Sequence, residues 1–394
     1  MLVGVACPVG AQGLPSEPLV FADGRAVISG DVSLTASCSH AEGESACTGD
    51  TGFFNYSDYD HSTLRMARFG VTASVRINSH ISALADLRIE NTTARPYGAY
   101  VRIHPFTDRD FDIQAGRIPW TFGAFSRHSY STDNPLIGYP LAYQYLTSLR
   151  PDALPLAPED LFRMRGRGWL SSFPVGNSTP DSGMPLADAF RWDSGVQAHG
   201  TVGWFEGAAS FTTGSLAHPL FLDDNDGKHL AGRAAARPLA GLVIGVSVSR
   251  APYVTTAAAA AAHADARDFT QKVAGADVEF SRDHYLVRFE TVWSAYDLPT
   301  IAPRLEASGT YLEGRYKLTP RIFVAARADH LGFNTITGTV RSLTWEAPVT
   351  RWEVGGGYAV LRNLQLRTTF QHNARDGGRV RKQTALAGQL LYWF

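Results

Sequence analysis

The sequence predicts an all-β protein, a transmembrane antiparallel β-barrel of about 16 strands with a long inserted third external loop. Three observations predict this fold. Apolar and polar residues alternate in segment after segment, as in strands whose two faces meet different surroundings. Short and long connections alternate along the chain, and the last segment ends on an aromatic residue, Phe394.

Composition narrows the classes of function. The chain has 394 residues, with 36 Lys and Arg against 37 Asp and Glu, for a formal net charge of -1. Because no basic field is present, a nucleic-acid partner is not expected. The sequence also lacks an uninterrupted apolar stretch of about 18 residues, so no membrane-spanning helix is predicted.

The chain divides into a residual signal peptide and leader, 1–24, and a single barrel, 25–394. The first residues are small and apolar, and Val9 and Ala11 fit a signal-peptidase cleavage pattern. We therefore expect export through the periplasm.

Two cysteines follow in the first external loop. An oxidising periplasm would join Cys38 and Cys47 in a disulfide, and two free thiols are the alternative.

The alternation is clearest early in the barrel. In the segment 63–77, Phe69 and Val71 occupy one face, whereas Arg68 and Arg76 occupy the other. The same two-faced pattern gives sixteen predicted strands, at 25–36, 63–77, 81–92, 96–106, 110–118, 193–203, 206–213, 229–237, 241–251, 270–281, 284–296, 307–318, 321–331, 350–361, 364–373 and 382–394.

The lengths of the connections predict the side of the membrane on which each one lies. If the first strand starts in the periplasm, the short turns fall on that side and the long connections 37–62, 214–228, 252–269 and 332–349 fall outside. The connection 119–192 is far too long for a surface loop of a compact domain. We expect it to enter the lumen as a constriction or a plug.

A soluble β-sandwich also shows alternating strands, so alternation alone does not decide. The regular succession of short and long connections opposes the sandwich. So do the small residues on the apolar faces and the aromatic end of the last strand.

The last strand carries apolar residues on one face, including Leu390, Tyr392 and Phe394. This pattern resembles the C-terminal signature of Gram-negative outer-membrane barrels. The resemblance implies that the barrel insertion machinery recognises these three residues as an assembly signal.

A second resemblance lies in the first third of the chain, in the stretches RMARFGVTASVRI, ALADLRIEN, AYVRIHPF and FDIQAGRIPWTFGAF. They resemble the early strands of the phosphate-selective porin family and its relatives. The resemblance implies a Gram-negative outer-membrane porin, with sixteen strands, a homotrimeric assembly, and a third external loop folded into the lumen.

A barrel of about 16 strands is too wide for side chains to fill, so it leaves an aqueous channel unless a loop blocks it. Bases and acids nearly balance on the polar faces, which predicts no strong anion selectivity. The predicted pore-lining residues are Arg68, Arg76, Asp86, Arg88, Glu90, Arg102, Asp277, Glu279, Arg288, Glu290, Arg327, Arg351, Glu353 and Arg367. For each wall arginine, a structural cross-strand pair is the alternative to a role in solute binding.

The inserted loop mixes tyrosines with charges. The predicted constriction residues are Arg127, His128, Asp133, Tyr139, Tyr143, Tyr145 and Arg150. Aromatic faces and charged groups together could grip a sugar or another polar solute, or the tyrosines could anchor the loop to the wall. Trp120 and Trp192, close to strand ends, are interpreted with other such aromatics as candidates for interfacial girdles.

The function predicted is a channel for passive diffusion of small hydrophilic solutes. The alternatives are a closed or plugged barrel that acts as a scaffold or receptor, and an outer-membrane lipid hydrolase. The sequence has no Gly-x-Ser-x-Gly and no HExxH motif, so no catalytic residue, cofactor or metal site is predicted. The expected surroundings are outer-membrane lipid and lipopolysaccharide.

Overall fold

A computed structural model describes residues 15–43, 47, 54–55, 62–64, 66–125, 130–189 and 192–394. It is a closed barrel of sixteen antiparallel strands, and consecutive strands are hydrogen-bonded neighbours. The strands are β1 (Ala26–Ala41), β2 (Ala67–Arg76), β3 (Ile81–Glu90), β4 (Thr93–Ile103), β5 (Phe111–Pro119), β6 (Trp192–Val202), β7 (Phe205–Thr212), β8 (His229–Leu239), β9 (Leu242–Pro252), β10 (Thr270–Arg282), β11 (Tyr285–Tyr296), β12 (Leu305–Lys317), β13 (Ile322–Phe333), β14 (Val349–Leu361), β15 (Leu364–Arg375) and β16 (Lys382–Trp393). The predicted fold class is confirmed.

The barrel closes where β1 pairs with β16, from Asp31 opposite Trp393 to Ala41 opposite Gln383. A short strand, Leu19–Phe21, pairs with the start of β1 and continues the wall past the end of β16. Closure satisfies the backbone groups that an open sheet edge would leave unpaired.

Each strand has one apolar and one polar face, as β11 illustrates. Val287 and Phe289 point outward and are exposed, whereas Arg288 and Glu290 point inward and are buried. Outward apolar residues suit lipid, and inward charges need partners inside the barrel.

The two ends of the barrel differ in the connections that they carry. At the loop end, the eight connections are L1 (42–66), L2 (91–92), L3 (120–191), L4 (213–228), L5 (253–269), L6 (297–304), L7 (334–348) and L8 (376–381). The other end, the turn end, carries short turns and Phe394. In the β8–β9 turn, Gly241 has a φ of +83°, and a Cβ there would lie 2.1 Å from the Ser281 carbonyl oxygen, so only glycine fits.

Strand ends depart slightly from those predicted: β1 runs five residues further than the pattern indicated, and β2 begins four residues later, so L1 is shifted along the chain and keeps nearly its predicted length. L3 contains two short helices, α1 (Leu141–Gln144) and α2 (Pro158–Met164). L5 contains α3 (Thr256–Ala261), whose N-cap Thr255 accepts a hydrogen bond from the Ala258 amide. Across the described residues, no helix has the length and apolar character needed to cross a membrane.

An apolar core lies inside the barrel at the loop end, where L3 meets L5, L7 and the strand ends. Leu161 and Phe162 of α2 pack there with Tyr253, Tyr296 and Trp345. Loop side chains therefore fill this part of the lumen.

Candidate functional site in the lumen

L3 runs through the barrel and is held by inward side chains. Glu290 of β11 accepts hydrogen bonds from the Ala124 and Phe125 amides, at 2.9 and 3.2 Å, and from the Tyr143 hydroxyl at 2.7 Å. Its side chain therefore binds two segments of L3, one at Ala124 and Phe125 and one at Tyr143. Glu290 serves as an anchor of L3.

A second anchor is a charge ladder across β12, β13 and β14. Arg327 lies 3.1 Å from Glu313 and 3.3 Å from Asp329, and its Nε donates to Glu353 at 2.6 Å. The same guanidinium donates to the Gly138 carbonyl of L3 at 2.8 Å. The guanidinium offsets part of the buried negative charge and also binds the loop, and such pairing is how a buried charge is tolerated.

Two more wall arginines bind the L3 backbone. Arg351 donates to the Tyr139 carbonyl at 3.1 Å, and Arg367 donates to the carbonyls of Ser131 and Asn134 at 2.5 and 2.6 Å. The wall from β11 to β15 is therefore covered by the loop.

L7 holds L3 from the loop end. The buried carboxylate of Glu346 accepts hydrogen bonds from the amides of Ser148 and Ala347, at 2.8 and 2.7 Å, and from that of Gly166. Burial raises the pKa of Glu346 above its ordinary value, although these amides favour the carboxylate.

The three tyrosines predicted in the constriction all anchor the loop. Tyr139, Tyr143 and Tyr145 are buried, and Tyr145 accepts a hydrogen bond from Arg375 of β15 at 3.2 Å. Burial raises the pKa of Tyr145 to about 12. They hold L3 against the wall and do not face open lumen.

The other predicted constriction residues differ in position. Arg150 pairs with Asp152 inside L3, and the Asp133 carbonyl accepts from Arg288 at 3.3 Å. Burial opposes ionisation of Asp152, but the hydrogen bonds from Arg150 and Asn177 outweigh it and lower its pKa. Arg127 and His128 lie outside the described residues.

Few of the predicted pore-lining residues face open space. Asp86, Arg88 and Arg102 line a large cavity. Most others are engaged in the loop anchors or in cross-strand pairs, and Arg76 is exposed at the turn end. The residues that line neither cavity described below are Arg68, Arg76, Glu90, Asp277, Glu279, Arg288, Glu290, Arg327, Arg351, Glu353 and Arg367.

The larger cavity, which we call the inner cavity, lies along β1–β8 near the turn end and also meets the end of β16. Its volume is about 830 Å³. Ion pairs occupy its wall: Arg88 lies 3.0 Å from Asp86, and Arg102 lies 3.7 Å from Asp112. Arg88 also pairs with Asp31.

A second cavity, the outer cavity, lies between L3, L4 and β4–β5, with a volume of about 510 Å³. Arg117, Asp152, Asp188 and His218 are among its lining residues. Burial lowers the pKa of His218, so the imidazole is neutral at neutral pH.

One aromatic layer separates the two cavities. Tyr97, Tyr100, Ile118 and Trp192 pack together; Tyr97 faces the outer cavity, and Tyr100 and Trp192 face the inner one. The Trp192 ring fills the space over Gly98, where a Cβ would lie 2.5 Å from the ring. We call these four residues the aromatic partition.

The structure corrects the interpretation of two tryptophans at strand ends. Trp120 and Trp192 are not girdle aromatics but buried residues of the lumen. Alternation alone could not reveal this, because both lie at the ends of strands, where the chain leaves the wall.

An Asp–His–Ser arrangement spans β6, β8 and β9. The His229 ring nitrogens lie 3.5 Å from Asp193 and 2.7 Å from the Ser249 hydroxyl. Asp193 and His229 have no exposed surface, and Asp193 also accepts from the Gly214 and Leu220 amides of L4. The arrangement positions L4, since neither cavity reaches it.

The remaining predicted positions lie at the two ends. Cys38 and Cys47 are joined in a disulfide. Leu390 and Tyr392 point outward, while Phe394 contacts Gly30 and lines the inner cavity. Within the described part of the chain, no group of His, Cys, Asp and Glu could hold a metal ion.

No family model and no curated protein matches the sequence. Solved structures do match over nearly the whole chain. An anion-selective porin from Comamonas acidovorans has a TM-score of 0.57 at 8% identity, with 94% of this chain and 99% of that chain covered. The outer membrane channel DcaP of Acinetobacter baumannii has a TM-score of 0.54 at 10% identity, with 95% and 99% covered.

A third match is OmpT, an outer membrane protein of Vibrio cholerae, in a trimer form. Its TM-score is 0.54 at 10% identity, with 94% of this chain and 99% of that chain covered. At such low identity the likeness concerns architecture. The chain has the sixteen-stranded barrel fold of outer-membrane porins.

Proposed function

We propose that the chain is an outer-membrane channel for passive diffusion of small hydrophilic solutes. One observation carries the proposal: two cavities with charged residues in their walls, of about 830 and 510 Å³, lie towards opposite ends of the same side of the barrel, with one aromatic layer between them. L3 closes the other side, so solutes would pass along β1–β8.

The proposed location is the outer membrane, on the basis of the fold and of the residues on the outer face of the barrel. Exposed apolar residues cover the wall, which suits an outer membrane, with the turn end in the periplasm and the loop end outside. A homotrimer is the proposed assembly, because a porin-fold neighbour is described in a trimer form. The proposal assigns no catalytic step.

Reconstitution into a planar bilayer tests the channel. We expect current steps, and Trp192→Ala should raise the single-channel conductance at least twofold because it opens the aromatic partition. Trp204→Ala is the matched control, since this ring lies at the β6–β7 turn with 64% of its surface exposed. Conductance unchanged by Trp192→Ala would place the route elsewhere.

A plugged barrel that serves as a scaffold or receptor is the second candidate. The many hydrogen bonds that fix L3 to the wall favour it. An absence of current steps from both the wild type and Trp192→Ala, at any voltage, would support it and overturn the channel.

A salt gradient gives an independent measurement. We expect a reversal potential near zero, because arginines and carboxylates along the inner cavity pair with one another. A strongly anion-selective reversal potential would contradict this expectation.

A further inference from the structure

The inner cavity combines aromatic rings with paired charges. Six aromatic residues line it: Tyr100, Trp120, Tyr130, Trp192, Trp393 and Phe394. Its volume of about 830 Å³ lies within the range of small-molecule sites, which is about 300–1,000 Å³. A merely water-filled passage does not need so many aromatic surfaces.

The charges of this cavity are engaged with one another. The Tyr130 hydroxyl donates to Asp86 at 2.6 Å, and the Arg88 guanidinium lies 4.3 Å from the Tyr130 ring centre. His199 lies between Asp112 and Glu206, at 3.4 and 3.6 Å. A charged solute of either sign would have to compete with one of these pairs.

A neutral solute with hydroxyl groups meets no such competition. Each hydroxyl both donates and accepts, so it can use the remaining lone pairs of the carboxylates and amides without breaking an ion pair. The apolar face of a sugar ring can pack on an aromatic ring at the same time.

One buried donor at the wall of this cavity lacks a partner. Trp120 is 7% exposed, and its indole N–H makes no hydrogen bond within the described structure. Since a buried N–H without a partner is costly, a ligand oxygen that meets this N–H once the ring turns towards the cavity would be favoured.

We propose that the inner cavity binds neutral polyhydroxylated solutes of the saccharide class, with Trp120 as a stacking surface and hydrogen-bond donor. The inference rests on the proposed channel, because it names the solute class of that route. It differs from a sugar grip by Tyr139, Tyr143 and Tyr145, which are buried in the anchors.

Isothermal titration calorimetry of the full chain in detergent, with maltotriose as the ligand, tests the site without requiring conductance. We expect saturable binding that Trp120→Ala weakens about tenfold. Trp293→Ala should leave binding unchanged, because this ring points outward and is 50% exposed. Gln197→Leu, which removes a polar group from the cavity wall, should weaken binding about fivefold.

The outcomes separate the two proposals. Conducting channels that show no saturable maltotriose binding would overturn the saccharide site and leave the channel proposal intact. Saturable binding without conductance would overturn the channel proposal and leave the saccharide site intact. Tighter binding of spermidine or phosphate than of maltotriose would assign the cavity to charged solutes and also overturn the inference. Gln197→Leu keeps the test decisive if Trp120→Ala does not fold.

Discussion

At the scale of single residues, the inward arginines act chiefly on L3. Arg327 shows why: its guanidinium reaches three carboxylates and one loop carbonyl, and only 2% of its surface is exposed. A cation so placed stabilises the fold by offsetting several buried carboxylates, and loss of the cation leaves negative charges buried together.

This predicts a large effect of Arg327→Ala. We expect a loss of about 3–5 kcal/mol in the free energy of unfolding, because Glu313, Asp329 and Glu353 would remain without their shared partner. Urea unfolding of the reconstituted barrel measures it. The control is Arg282→Ala at the turn end, where a 73% exposed side chain in a surface pair should cost less than about 1 kcal/mol. Equal losses for the two variants would contradict the anchoring role.

At the scale of elements, L3 divides the barrel into a sealed side and an open side. Its hydrogen bonds to β11, β13, β14 and β15 leave β1–β8 to line the inner cavity. The position of the loop depends on L7 as well, through Glu346.

The raised pKa of Glu346 predicts that the contact between L3 and L7 depends on pH. Burial raises the pKa of Glu346, so protonation of this side chain stabilises the packed arrangement of L3 and L7. This stabilisation is complete below the ordinary pKa of 4.5 and is lost as the pH rises through the raised pKa. We therefore expect slower proteolysis of L3 and L7 at pH 5 than at pH 8.

Glu346→Gln is the matched variant, because the amide oxygen still accepts from the loop backbone. It should remove the part of the pH dependence that belongs to this side chain. If proteolysis of the Glu346→Gln variant changes with pH as much as that of the wild type, another group is responsible.

At the scale of the whole molecule, closure depends on the pairing of β1 with β16. The Phe394 amide donates to the Gly30 carbonyl at 2.9 Å, and the Gly30 amide donates to the Phe394 carbonyl at 3.1 Å. The last residue thus closes the seam and also contributes its ring to the inner cavity.

We expect deletion of Phe394 to lower the yield of folded barrel severalfold while molecules that do fold keep nearly wild-type conductance. Heat-modifiable electrophoretic mobility measures the folded fraction, and bilayer recordings measure conductance. Phe394→Tyr should retain assembly because the aromatic ring and the backbone bonds remain. Normal assembly after the deletion would refute a role in closure.

The barrel itself could be predicted from the sequence: its sixteen strands, their two faces, and the short and long connections. These features are local, since a period of two residues records which neighbours face lipid and which face the interior. For the same reason, the alternation identified Arg88 and Arg327 equally as inward residues.

Which of these inward residues meet open space depends on the tertiary structure. Arg88 lines the inner cavity, whereas Arg327 is sealed beneath L3. The path of the loop rests on contacts between distant positions, such as Arg351 with the Tyr139 carbonyl, 212 residues apart. No local pattern encodes such a pairing, because it depends on how a long irregular segment packs within an already closed wall.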